Sequence, residues 1–492
     1  MDRRAIAEIG IPGIILMENA ASEVYNKIKE IGESFLIFCG KGNNGGDGLA
    51  LARKLILGGK RVKVYIVSRN NNYTESFRCN LAILKNISSD EDIKYISSKE
   101  EMNDSIVSDL KGYDVTIDAV FGVGLNNDIS DIFKLVIDSI NKYANSIVAI
   151  DVPSGLNCDT GFEMGTAIKA DVTYTFEAIK KGFLNYNAFQ YTGHIEILTI
   201  GIPYMVKEKL GKVINILKDE EYKSLIPERK LYGHKGNYGR AIVIAGSRGF
   251  TGAAFITTEC TVRGGAGLVT LICSSREIQT VLENKVIEAM TTTIDDEKID
   301  GILKKADTIA IGPGIGTGID QYNMLKDVIS KSNCPIILDA DGINIVSDNK
   351  EILSELKGRC IITPHPGEMA RFLNKDIKEV EADRIEIARS TAEKYGIVIL
   401  LKGYNTIITN GNKVYINPTG NSKMASGGMG DALTGIINAF VSQGLELIDA
   451  ALISAYIHGK IADDLGGENY IINARDIIEK LPQKINEIVK VK

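Results

Sequence analysis

Along the chain, short runs of β-branched and aromatic residues alternate with stretches whose apolar positions recur at helical spacing. In the first part the runs are "FLIFC" (35–39), "VKVYIV" (62–67), "DVTIDAV" (114–120) and "SIVAIDV" (146–152), with helical spacing over Gly46–Leu57 and Ile129–Tyr143 between them. "DVTYTF" (171–176) and "HIEILTI" (194–200) continue the series. The stretch 201–230 then turns charged and loses the strand period, which reads as a connection between domains. The alternation resumes with "RAIVIAGS" (240–247), "GLVTLIC" (267–273), "DTIAIGPG" (307–314), "PIILDADG" (335–342), "RCIITPHPG" (359–367) and "GIVILLKG" (396–403). Strands and helices in regular alternation predict mostly parallel sheets with helices on both faces. The pattern therefore predicts two α/β domains in tandem, 1–212 and 213–492.

Length agrees, since 492 residues exceed what one core holds. A net charge of −6 with dispersed Lys and Arg gives no surface for nucleic acid. No apolar run is long enough to span a bilayer, and the N-terminal residues have no apolar signal core. Seven scattered Cys without a Cys-x-x-Cys pair predict reduced thiols in a cytoplasm rather than disulfides or zinc.

Ligands of doubly wound sheets sit beyond the carboxyl ends of the strands, and the unusual residues of both halves fall there. "GKGNNGGDG" (40–48) follows a strand and opens a helix. Its glycines permit close backbone approach, and Asn43, Asn44 and Asp47 add polar side chains. The spacing matches neither the dinucleotide fingerprint nor a P-loop. Asp118 closes a second strand, and Asp151 a third, followed by Pro153, Ser154 and Gly155. Such hard oxygen donors, with no Cys or His among them, suit a group I or II cation. In the second half "SGGMGDALTG" (426–435) offers backbone amides at a helix start to phosphate oxygens or an oxyanion, with Asp431 placed to take a proton from a hydroxyl. Lys402 in "LKGYNTII" can contact phosphate, and His365 lies between two prolines after a strand.

"LMENA" (16–20), "GNNGGDG" (42–48), "DAVFGVGL" (118–125) and "DVPSGLNCDTG" (151–161) resemble the YjeF N-terminal domain family, the NAD(P)H-hydrate epimerases, over residues 1–203. The resemblance implies a Rossmann-like three-layer sandwich. It also implies a potassium ion on Asn44, Asp118 and Ser154. The hydrated nicotinamide would lie among Asn43, Asn44, Gly45, Gly46, Asp47, Gly122, Val123, Gly124, Leu125, Asn126, Asn127, Asp128 and Asp151, with Asp151 as the acid/base group. Lys180 in "TFEAIKKG" matches a family position, without the prolines usual around it.

"HKGNYGRAIVIAGSRGFTGAA" (234–254), "GPGIGT" (312–317), "TPHPGEM" (363–369), "LKGYNT" (401–406) and "GGMGDALTG" (427–435) resemble the YjeF C-terminal domain family, the nucleotide-dependent NAD(P)H-hydrate dehydratases, from about residue 222 onward. This implies a ribokinase-like α/β domain. Lys402, Gly403, Tyr404, Asn405, Thr406 and Gly430 would bind the adenine nucleotide, ADP or ATP with Mg²⁺. Ala253, Gly316, His365 and Asp431 would contact the hydrated NADH or NADPH, with Asp431 as the base. Together the halves resemble the bifunctional NAD(P)H-hydrate repair enzymes, in which the epimerase feeds the dehydratase. The fused form resembles prokaryotic members, for which ADP is the expectation. Expected partners are small molecules and further copies of the same chain in a homo-oligomer, with no nucleic acid or membrane.

Two other readings share part of these features. A ribokinase-like small-molecule kinase with a nucleotide-binding accessory domain accounts for "GGMGD", but not for "TPHPGEM" or the first half. A non-enzymatic binding module on a dead first domain is opposed by intact Asn44, Asp118, Asp151 and Ser154.

Overall fold

The computed structural model describes residues 1–70, 72–89, 91–208 and 214–490. The chain divides into two compact units, Met1–Lys212 and Val213–Lys492.

The first unit is built on a parallel sheet of β1 (Ser34–Cys39), β2 (Arg61–Val67), β3 (Ile93–Ile96), β4 (Val115–Ala119), β5 (Ile147–Ile150), β6 (Val172–Phe176) and β7 (His194–Leu198). The order is β3-β2-β1-β4-β5-β6-β7. Every residue of β1 is buried, because helices cover both faces of the sheet. Phe35, Ile37 and Cys39 pack with Met17, Val24, Leu49 and Phe77 of helices Gly13–Ile28, Asn43–Leu57 and Glu75–Lys85. Leu36 and Phe38 pack with Ile106, Leu110, Val136 and Ile140 of helices Asp104–Gly112 and Asp131–Tyr143. The result is the three-layer sandwich. β1 lies between β2 and β4, so the crevice at the topological switch point opens at the ends of β1 and β4.

One boundary differs from the sequence expectation. The helix after β1 starts at Asn43 rather than Gly46, so Asn43 to Gly46 form its first turn. The reason is packing. A Cβ on Gly45 would lie 1.8 Å from the Gly40 carbonyl oxygen, and one on Gly46 would lie 2.6 Å from Met17 Cε. These two glycines let helix backbone approach strand and side chain, and not only a ligand.

The second unit has a sheet in the order β11-β10-β9-β12-β13-β14-β15-β16-β17-β8. Its strands are β8 (Ile214–Asn215), β9 (Arg240–Ile244), β10 (Leu268–Cys273), β11 (Met290–Thr293), β12 (Thr308–Ile311), β13 (Ile336–Leu338), β14 (Cys360–Ile362), β15 (Val398–Leu401), β16 (Thr406–Thr409) and β17 (Val414–Asn417). From β11 to β15 the pairing is parallel, while β15, β16 and β17 form antiparallel pairs. The stretch 201–230, read from sequence as a connection, includes β8, which pairs with β17. Helices Met429–Ser442, Leu447–Leu465 and Ala474–Lys490 cover one face through Ala432, Ile436, Phe440, Ile453, Ile457 and Ile477. All seven cysteines are free, and no described helix is long and apolar enough to cross a membrane.

Candidate active sites

In the first unit the ends of β1, β4 and β5 bring Asn44, Asp118 and Ser154 into one hydrogen-bonded group. Ser154 Oγ donates to Asp118 Oδ1 (2.6 Å) and accepts from the Phe121 N–H (2.7 Å), and the Ser154 N–H donates to Asp118 Oδ2 (2.7 Å). Asn44 Nδ2 donates to the Phe121 carbonyl (2.9 Å). That leaves Asn44 Oδ1 buried without a hydrogen-bond partner. Burial raises the fully buried Asp118 carboxyl to about 6, against the stabilising bonds from Ser154 and Val120. An orphaned amide oxygen beside a dehydrated carboxylate and a hydroxyl is a donor set that fits a hard cation, which would relieve both costs.

Asp151 follows β5 directly. It holds a left-handed φ of 63°, a conformation that costs free energy for any non-glycine residue. Lys180 Nζ lies 2.7 Å from its Oδ1, and Thr175 Oγ1 and the Phe176 N–H donate to the same oxygen at 3.3 Å. Lys180, a bare family match in the sequence, is thus the cation that holds Asp151. Burial first, then the nearby charges of Asp151 and Asp2, push the Asp47 carboxyl well above the ordinary carboxylate range. Gly122 adjoins Asn44, since a Cβ there would sit 3.3 Å from Asn44 Cβ. Val123, Gly124, Asn126, Asn127 and Asp128 form an exposed stretch of loop, with Leu125 half-buried, and Asn43 is exposed beside the cluster.

In the second unit the centre is Asp339, one residue past β13 and 1% exposed. Lys402 Nζ lies 2.9 Å from its Oδ1, Thr363 Oγ1 donates to Oδ1 (2.8 Å) and Thr434 Oγ1 to Oδ2 (2.8 Å). Burial alone would raise this carboxyl. Lys402 and the two hydroxyls outweigh it and hold the group below the ordinary range. Burial likewise works against charged Lys402, but Asp339 and Glu368 hold its pKa up. A Cβ on Gly430 would lie 3.3 Å from Lys402 Nζ, so the glycine leaves room beside that ammonium at the start of helix Met429–Ser442. The next residue, Asp431, lies in the first turn of helix Met429–Ser442, behind Gly428 with φ 89°. Burial, then Asp339, raises its carboxyl to about 6, with Lys402 opposing.

His365 starts helix Pro366–Leu373. Its Nδ1 accepts from the Gly367 N–H (3.0 Å), and its Nε2 lies 3.4 Å from Glu368 Oε1. Burial lowers its pKa, so the neutral ring is favoured. The backbone ties this segment to the next one, as the Lys402 N–H donates to the Pro364 carbonyl (2.8 Å). The Gly316 N–H donates to Asp341 Oδ2 (2.9 Å). Gly314 of the same loop packs on Ala253, whose Cβ lies 3.4 Å from where a Gly314 Cβ would be. The sequence reading singled out neither Asp339 nor Asp341, although "PIILDADG" places both at a strand end, which is the signal that marked Asp118 and Asp151.

Two family models match the chain. One described as YjeF-related protein N-terminus covers residues 13–182, and one described as NAD(P)H-hydrate dehydratase covers residues 241–483. The bifunctional NAD(P)H-hydrate repair enzyme of Moorella thermoacetica is 35% identical over 508 residues, which span 99% of this chain and 95% of that protein. The chain belongs to the bifunctional NAD(P)H-hydrate repair enzyme family. The member from Dictyoglomus turgidum is 32% identical across 100% of this chain and 97% of its own length. Among solved structures, a ribokinase-like superfamily protein from Enterococcus faecalis superposes with a TM-score of 0.53 at 27% identity, covering 56% of this chain and 97% of that one. A small-molecule kinase with an accessory domain leaves the family match over residues 13–182 unaccounted for. The repair-enzyme family accounts for both halves.

Proposed function

We propose that the chain repairs hydrated NADH and NADPH in two steps at two sites. In the first unit Asp151, held by Lys180, exchanges a proton with the hydrated nicotinamide so that the R and S hydrates interconvert, while Asp47 favours its proton-bearing form. Potassium on Asn44, Asp118 and Ser154 would supply positive charge beside that ring.

In the second unit Asp431 removes the proton from the ring hydroxyl of the S hydrate as a phosphoryl group passes to that oxygen from ADP, or from ATP. Lys402 and the amides of Gly427 to Gly430 stabilise the transferring charge. Loss of phosphate from the carbon that bore the hydroxyl, with a proton from the neighbouring ring carbon, then restores the double bond of NADH or NADPH, while the nucleotide leaves as AMP, or ADP. Magnesium carried in with the nucleotide would neutralise part of the phosphate charge beside Lys402. Lys402, Gly403, Tyr404, Asn405 and Thr406 hold the nucleotide. Ala253, Gly316 and His365 face the hydrate. Free thiols throughout suit a reducing cytoplasm.

The observation that carries this reading is Asp431: a carboxyl poised at about 6, at a helix start, one residue from the glycine beside Lys402. That is where a general base for a hydroxyl works at neutral pH. Incubation with hydrated NADH and each nucleotide in turn should return NADH absorbance at 340 nm, a wavelength set by the dihydronicotinamide ring rather than the protein. No return with either nucleotide refutes the proposal.

A further inference from the structure

Arg384 is the first residue of helix Arg384–Tyr395 and is only 6% exposed. That is a costly place for a cation. The guanidinium is dehydrated, and the helix macrodipole presents its positive end there. Glu381 Oε2 lies 3.8 Å from Arg384 Nε, and Nε makes no hydrogen bond. The placement is explained by what the other two nitrogens do. Nη1 donates to the Tyr404 carbonyl (2.5 Å), and Nη2 to those of Lys402 (3.1 Å) and Leu401 (3.4 Å).

These three carbonyls belong to the last residue of β15 and the loop between β15 and β16. In a trans peptide the C=O and the next N–H point in opposite directions. Turning the Leu401, Lys402 and Tyr404 carbonyls onto Arg384 therefore turns the N–H groups of Lys402, Gly403 and Asn405 away from it. The Lys402 N–H meets the Pro364 carbonyl, which fixes the base of the Lys402 side chain. The loop passes through two left-handed residues, Gly403 at φ 135° and Asn405 at φ 54°. A Cβ on Gly403 would lie 2.8 Å from Arg384 Nη2, so the glycine is what admits the guanidinium.

We infer that Arg384 is a positioning residue for the adenine nucleotide: its planar fork holds the Lys402–Thr406 loop in the strained shape that presents Lys402 and the backbone amides. The inference rests on the proposal that this loop holds the nucleotide. Arginine suits the task because its donors lie in one rigid plane, whereas a lysine ammonium fixes no plane.

The test compares Arg384→Met and Arg384→Lys with the parent full-length chain. Steady-state kinetics are run with ADP and, separately, with the hydrate as the varied substrate. Arg384→Met should raise the KM for ADP roughly 10- to 100-fold, the range that corresponds to losing a charged hydrogen bond of about 1.5 to 3 kcal/mol. The hydrate KM should stay near the parent value, while kcat at saturating ADP should fall by a smaller factor than the ADP KM rises, because Lys402 keeps its backbone bond to the Pro364 carbonyl. Arg384→Lys should fall between the two. Epimer interchange in the first unit should be unchanged and reports an intact chain. If Arg384→Met does not fold, Arg384→Lys carries the test through the same split between the two KM values. An unchanged ADP KM, or a rise in both KM values together, overturns the inference. A parallel Lys402→Met variant separates the two claims. If it alters the ADP KM while Arg384→Met does not, only the positioning role fails. If neither alters it, the nucleotide is not held by this loop, and both claims fail.

Discussion

Replacing Asp431 by asparagine should cut turnover sharply and raise thermal stability at once. The carboxyl is displaced from 3.8 to about 6 by burial, then by Asp339 and Asp341, against the pull of Lys402. A base with that pKa is about nine-tenths ionised at pH 7 and about one-tenth ionised at pH 5, so dehydratase kcat/KM should fall roughly tenfold between them. Asp431→Asn keeps the size and loses the base, which should cut turnover by a factor on the order of 10² to 10⁴. Nucleotide binding should stay near normal, because Lys402 and the glycine amides remain. The stability effect has the opposite sign. A group with a folded-state pKa above its unfolded value binds its proton more tightly in the folded chain. Its stabilising contribution is complete below about pH 4 and is lost as pH rises through about 6. At pH 7.5 the ionised carboxylate is therefore a burden that asparagine removes. The displacement corresponds to at most about 3 kcal/mol. Discounted for partial exposure it is nearer about 1 kcal/mol, or about 2 to 4 °C in Tm. The assays are NADH absorbance from pH 5 to 8 and thermal unfolding at pH 7.5. A variant with normal turnover would refute the base assignment, and one that unfolds at lower temperature would refute the electrostatic argument.

Potassium chloride should raise the Tm of the first unit at pH 7.5 above its value in choline chloride, because a cation at Asn44 Oδ1 relieves the burial that lifts Asp118 to about 6. Asn44→Ala should erase most of that difference, and equal Tm values for the parent in the two salts would refute the site. Lys180→Met removes the ammonium 2.7 Å from Asp151 and should slow epimer interchange, followed by chromatography, about tenfold or more, with dehydration of the S hydrate unaffected. Unchanged interchange would make the ion pair incidental. Gly45→Ala places a methyl group 1.8 Å from the Gly40 carbonyl oxygen and should destabilise the first unit by about 3 kcal/mol or more in urea unfolding. Parent-like stability would contradict the close approach.

Strands such as β1 and β4 were legible in the sequence because burial on both faces demands unbroken apolar runs, and those runs stand out along the chain. The start of the helix at Asn43 was not legible. Asn and Gly are poor helix formers, and only packing against Gly40 and Met17 selects helix there. β8 is two residues long in a charged stretch, so its pairing with β17 leaves no periodic trace. The site residues divide in the same way. Asn44, Asp118, Asp151, Ser154 and Asp431 stand at strand ends or helix starts inside glycine-rich motifs. Asp339 carries in "PIILDADG" the same strand-end signal as Asp118 and Asp151, whereas Arg384 acquires its role only through partners far along the chain, the Leu401, Lys402 and Tyr404 carbonyls. No local spacing encodes such a pairing.

If one chain carries two independent active sites acting in series, each should fail without the other. An equal mixture of R and S hydrates of NADH, given excess ADP and followed by NADH absorbance, tests it most directly. The parent chain should clear the whole mixture faster than spontaneous epimerisation allows. Asp151→Ala should convert about half in a fast phase and the remainder only at the uncatalysed rate. Asp431→Asn should convert almost none, yet still interchange the epimers. A single fast phase that clears both epimers with Asp151→Ala would contradict catalysis by the first unit, and loss of interchange with Asp431→Asn would mean one shared site.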